Sequence, residues 1–189
     1  MSGGHGGHVD PSNKSIAMLI SILALVLAIS ETLGKGAQTT ALNVNIEAAN
    51  LWNFFQAKTI RGTVLKTAAE QLEVDMTAVT NAQTRGVMEK RIAEWKKNEA
   101  RYQSEPETGE GRKELMARAI AAEKKRDVSL AAYHNFEIAS AAVQIAIVLA
   151  SAEVITGVAA LVWISAGLGV VGVVFCAIGI FWPTAVHLM

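Results

Sequence analysis

Few side chains in this sequence stand where they could do chemistry. His134 and Glu137 are the only histidine–carboxylate pair spaced i, i+3 in a stretch that reads as helix. Acid–base catalysis needs such a pair aimed at a substrate pocket, and a single pair fits an exposed helix face equally well. Gly167-x-Gly169-x-x-Gly172 spells the dinucleotide fingerprint. No strand precedes it and it lies inside a long uncharged run, so close helix packing is its expected role. His5, His8 and Asp10 offer metal ligands in a Gly-rich tail that cannot preorganise them. The lone cysteine, Cys176, forms neither an internal disulfide nor a structural zinc site. Three acids stand in or beside apolar runs, Glu31, Glu137 and Glu153. Acids within a membrane are candidates for an ion path, which singles out Glu31 and Glu153, although all three sit where they can reach headgroups or water. The expectation is a chain with no catalytic residue, no cofactor and no metal.

The elements that must position these residues follow from the distribution of charge. The chain has 189 residues, with 17 basic and 17 acidic side chains. Residues 35–126 hold 16 of the basic and 12 of the acidic ones, and no Lys or Arg follows Arg126. Such segregation argues for an all-α integral membrane protein with a polar helical insert, not one water-soluble core. Net charge zero carries no nucleic-acid signature. We read a Gly/His-rich tail over residues 1–14 and a first span over 15–34, with Asp10-Pro11 as an N-cap and first helical position. A polar helical domain follows over 35–135. The second and third spans take 136–155 and 158–182, joined by a tight turn at Thr156-Gly157, and a short tail takes 183–189. Lys14, residues 16–27 and Ala28-Ile29-Ser30 also match the three regions of a signal peptide, with cleavage before Glu31. One lysine in a Gly/His-rich leader is a poor n-region, so a retained anchor is the expected reading. Lys35 and Lys124-Lys125-Arg126 flank the insert, which places it and the C-terminus in the cytoplasm and the N-terminus outside.

Each span carries small or polar residues about every 3.5 positions. They are Ala17, Ser21, Ala24, Ala28 and Glu31 in the first, Ala139, Ala142 and Ala146 in the second, and Ser165, Gly169, Gly172, Cys176 and Gly179 in the third. Small residues let helix backbones approach closely in lipid. The three stripes are expected to face one another, within one chain or between chains, with Gln144 adding an interhelical hydrogen bond.

The insert reads as three helices, about 37–74, 81–102 and 113–136, with coiled-coil-like seams that carry defects. The first seam holds Leu51, Phe55, Leu65, Ala69, Leu72 and Met76, interrupted by Lys58 and Gly62. The second holds Met88, Ile92, Trp95 and Tyr102, with Glu99 intruding, and the third runs from Leu115 through Ala119 and Ala122. Residues 103–112, with Pro106, Gly109 and Gly111, form the clearest loop. A straight helix over 37–102 would run ~99 Å and could not pair with a return helix of ~36 Å. The chain therefore folds back at Gly62, in residues 76–81 or at Gly86. Trp52, Phe54 and Phe55 beside Lys58 and Arg61 form an aromatic and basic cluster on a helix. Without a flat platform this suits helix packing or a protein contact, in which Trp95 also belongs, better than nucleic acid.

At this point the chain resembles a family of small bacterial membrane proteins classed only as a domain of unknown function. The likeness lies in the Gly/His-rich tail, in Gly34-x-x-Ala37-Gln38-Thr39, and in the stretch Trp52-x-Phe54-Phe55-Gln56-Ala57-Lys58. It continues in residues 144–151 and the Thr-Gly turn after them. The resemblance implies three membrane helices and supplies no activity and no site residue. The expected protein is a membrane-anchored scaffold or accessory subunit that self-associates or docks a membrane-protein partner. An alternative is a small oligomeric channel or transporter.

Overall fold

Uncharged aliphatic runs and Ala/Glu/Lys-rich stretches both favour helix. The computed structural model, which describes residues 11–186, has four helices and no strand among those residues. They are α1 (Pro11–Met76), α2 (Ala82–Gln103), α3 (Arg112–Thr156) and α4 (Ala160–Phe181). The Asp10 cap and the His5, His8 and Asp10 ligands lie outside the described residues. Helices α1, α3 and α4 each contain a segment long and apolar enough to cross a membrane.

The chain divides into two compact units, one of them Asn43–Lys125 and the other made from the described residues on either side of it. Both units are three-helix assemblies.

In the charged unit the fold-back falls at residues 77–81. Gly62 and Gly86 both stay inside helices. The Asn81 side chain caps α2, its Oδ1 accepting from Gln83 N at 2.9 Å and Thr84 N at 3.0 Å. Gly62 is buried within α1, where a Cβ would make ordinary contact with that of Tyr102 at 3.9 Å. The core joins Val44, Ala48 and Leu51 of α1 to Leu115, Ala119 and Ala122 of α3, with Trp52 and Phe55 against it. The seam of α1 runs unbroken through its two apparent defects. Lys58 is only 7% exposed. Its ammonium stands 5.2 Å from the ring centres of both Phe54 and Tyr102 and 3.6 Å from Glu110 Oε2. The apolar stem fills the seam while π faces and a carboxylate hold the charge.

The α2–α3 connection is fastened by its own side chains. Glu114, in the first turn of α3, accepts from Ser104 Oγ at 2.6 Å and from Glu105 N at 3.2 Å. These bonds, led by that of Ser104, hold its carboxyl below the ordinary value of 4.5. The Glu105 carboxyl is likewise lowered, first by its hydrogen bond from Arg101, whose guanidinium is raised in return. Gly109 has φ +68°, a conformation only glycine takes at no cost. Gly111 is walled in by Ser104, Glu105 and Glu114, so a side chain there has no space.

In the apolar unit, α3 ends where Gly157 turns to φ +69° and donates to Glu153 O at 2.8 Å. Helix α4 returns at once. One cluster gathers Leu23, Val143 and Ala146 with Leu19, Val26, Leu27, Ile147 and Leu168; another gathers Phe136, Ala139 and Cys176 with Ala37, Ala132 and Phe175. Asn135, wholly buried, donates to Ala131 O at 2.8 Å and to Pro183 O at 2.9 Å, fastening the segment after α4 to α3. Trp163 near the start of α4 is 80% exposed, and Trp182 just past its end is 66% exposed. Aromatics at both ends of an apolar helix are the usual arrangement at membrane interfaces.

Candidate functional site

The small residues of α4 form a complete packing face. Ser165, Gly169, Gly172, Cys176 and Gly179 are its buried residues. Each of the three glycines receives a large side chain. A Cβ on Gly169 would meet Leu23 Cδ2 at 2.7 Å, one on Gly179 would meet the Phe136 ring at 2.9 Å, and one on Gly172 would collide with Val143. Ser165 Oγ donates to Ala146 O at 2.7 Å in a fully buried bond from α4 to α3. On α3, Ala139, Ala142 and Ala146 are buried on the same side of the helix as Val143. Cys176 is a buried free thiol in this seam.

The stripe on α1 does not join them. Ala17, Ser21, Ala24 and Ala28 are exposed, and α1 turns Ile16, Leu23 and Ser30 inward. The expectation that three small-residue stripes meet is corrected within the chain. Interiors fill at crystal-like density. On the α4 face the holes made by the three glycines are filled by Leu23, Val143 and Phe136.

The aromatic cluster divides likewise. Trp52 is half-buried, donates through Nε1 to Glu123 Oε1 at 2.9 Å, and meets Phe55 edge-on at 5.5 Å. Phe54 faces outward at 37% exposure. Trp95 is half-buried, with Arg91 5.6 Å above its ring.

The acids are not equivalent. Glu31 Oε1 accepts from Gln144 Nε2 at 3.3 Å, linking α1 to α3. Glu137 pairs with His134 Nδ1 at 3.5 Å and accepts from Tyr133 Oη at 3.4 Å, both on its own helix. Glu31 and Glu137 line one groove between α1 and α3, of about 400 Å³, with Ser30, Lys35, Gln38, Tyr133, Ser140 and Gln144. Glu153 does not line it. The fingerprint glycines lie within α4, two of them buried against side chains, so no phosphate-binding turn exists there. Among the described residues no three His, Cys, Asp or Glu side chains are grouped to share a metal ion.

Two groove and core residues escaped the sequence reading. Ser30 and Asn135 are both wholly buried, and Ser30 Oγ and Asn135 Oδ1 have no hydrogen-bond partner. A buried polar atom without a partner costs about 1–3 kcal/mol. The available signal was a polar side chain at the border of an apolar run.

The model of a family described as Domain of unknown function (DUF4337) matches residues 12–182. No curated protein and no solved structure matches the chain.

Proposed function

The chain belongs to the DUF4337 family, whose description carries no activity, and from its own helices we propose that it is a membrane-anchored scaffold or accessory subunit. It acts by helix-mediated self-association or by docking a membrane-protein partner, and no reaction is assigned to it. The observation that carries this reading is the stripe Ala17, Ser21, Ala24 and Ala28. It has the composition of a close-packing surface, yet the chain leaves it exposed. Residues of this kind on a helix apolar enough to cross a membrane suit a second helix from another chain. Phe54 on the charged unit offers a further contact.

In this proposal α1, α3 and α4 cross a bacterial inner membrane, with residues 35–135 and the C-terminus in the cytoplasm and the N-terminus outside. Support comes from Lys35 and Lys124-Lys125-Arg126 flanking the insert. Crosslinking in native membranes and native mass spectrometry in mild detergent test it. Dimers, higher oligomers or a stable hetero-complex are expected, and a partner-free monomer under both conditions refutes it.

A second reading, a small oligomeric channel or transporter, is favoured by the Glu31–Gln144 hydrogen bond between two apolar helices. It requires ion flux in liposomes that falls when Glu31 and Glu153 are both changed to Gln. Wild-type protein without flux excludes it.

A further inference from the structure

The groove between α1 and α3 is more than a gap between packed helices. It lies where α1 passes from the uncharged run 16–30 into the charged part of the sequence. Its charged lining is two carboxylates, Glu31 and Glu137, and one ammonium, Lys35. Gln144 meets one oxygen of Glu31, while Tyr133 and His134 each meet one oxygen of Glu137. A carboxylate has about four acceptor positions, so both keep capacity for a cationic donor. Lys35 has no ion-pair partner among the described residues.

A second observation points to a guest. Ser21, Thr32, Thr40, Ser151 and Thr156 all settle their hydroxyls on the carbonyl four residues back. Ser30, in the groove lining, does not: its hydroxyl is wholly shielded and unpartnered. Size narrows the class. About 400 Å³ falls in the range of small-molecule sites and far exceeds a bare ion. Tyr133 adds an aromatic ring to the lining, and such rings attract an organic cation.

We infer that this groove binds a zwitterion carrying a primary ammonium and a phosphate, of the kind presented by an aminophospholipid headgroup. Glu31 and Glu137 receive the ammonium. Lys35, with Gln38 beside it, receives the phosphate, and Ser30 gains its missing partner. The lipid source of this headgroup rests on the membrane reading proposed above; the groove chemistry does not.

The test uses the purified full chain in detergent. Native mass spectrometry would compare retention of phosphatidylethanolamine, its N-trimethylated counterpart phosphatidylcholine, and phosphatidylglycerol. Free phosphoethanolamine would serve as competitor. Wild type is expected to retain phosphatidylethanolamine at least about tenfold better than the other two, since charge-assisted hydrogen bonds separate them. Competition by free phosphoethanolamine marks the headgroup alone as sufficient; its absence marks the intact lipid as the ligand.

Glu31→Gln with Glu137→Gln should abolish the preference while helix content by circular dichroism is unchanged. Ser30→Ala, a milder change, should weaken retention without lowering stability, whereas a merely structural serine would leave retention unaltered. Equal retention of the three lipids, or a preference that survives both sets of substitutions, overturns the inference. A chain that stays in water without detergent or lipid would sink the membrane reading instead. Titrating that soluble chain with phosphoethanolamine would still decide the groove.

Discussion

Replacing Gly172 with alanine adds one methyl group to the seam between α3 and α4. The new Cβ would lie 3.2 Å from Ala139 O and nearer still to Val143 Cγ2. Neither neighbour can yield cheaply. The first is backbone, and Val143 is wholly buried with a β-branched side chain confined in χ1. Overpacking of this kind costs about 1–3 kcal/mol. Alanine also gains up to about 1 kcal/mol of helix propensity over glycine, which obscures the cost in a single measurement. Gly167→Ala supplies the correction, because nothing stands within 4 Å of a Cβ there. Propensity cancels in the comparison and packing remains. Gly169→Ala should fall between the two, since the atom it meets is the far end of Leu23. Cys176, the only thiol in the chain, is buried one helical turn from Gly172 and reports opening of the seam. Under conditions where opening is rapid relative to labelling, Gly172→Ala should be labelled about 5- to 150-fold faster than Gly167→Ala. Equal rates in the two variants would refute the packing argument.

Ser165→Ala removes the hydrogen bond to Ala146 O and should lower stability in detergent by roughly 0.6–2 kcal/mol, read from reversible unfolding. Lys58→Met keeps an unbranched stem in the seam and should stay within about 1 kcal/mol of wild type, since apolar replacements of buried charges are often neutral. Lys58→Ala leaves a cavity and should cost about 2 kcal/mol or more, followed by tryptophan fluorescence. The carboxyls of Glu105 and Glu114 are lowered in the folded state, so their contribution is complete above 4.5 and disappears as pH falls through the folded values. The denaturation midpoint should therefore drop as pH falls from above 4.5 through the lowered folded values, and drop less in Ser104→Ala, which frees Glu114.

What could be read in advance depended on whether a residue's neighbours were implied by its own helix. The face of α4 was legible because all its small residues keep one spacing and glycine has little other use in an apolar helix. The same spacing misled on α1. Alanine and serine are equally at home against lipid, and only the position of Leu23 opposite Gly169 shows which side packs. Lys58 reads as a defect because a heptad pattern scores residue type, not the reach of a lysine stem. The fold-back had three candidates, and the Asn81 cap decided among them. The groove was invisible: Glu31 and Gln144 are 113 residues apart, and no local pattern pairs them. The resemblance to a domain of unknown function is matched by a family model that covers nearly the whole chain.

The two tryptophans of α4 amount to an optical ruler supplied by the chain itself. Trp163 and Trp182 are separated by 19 positions, roughly 28 Å along a straight helix, close to the ~30 Å of a hydrocarbon layer. Both are open to their surroundings. Substituting Trp52 and Trp95 with phenylalanine would leave two emitters, one at each end of a single helix. Brominated lipids with the bromine at successive acyl positions would then quench each according to its depth. Such a reading gives the tilt and level of α4 in a bilayer without attaching any label.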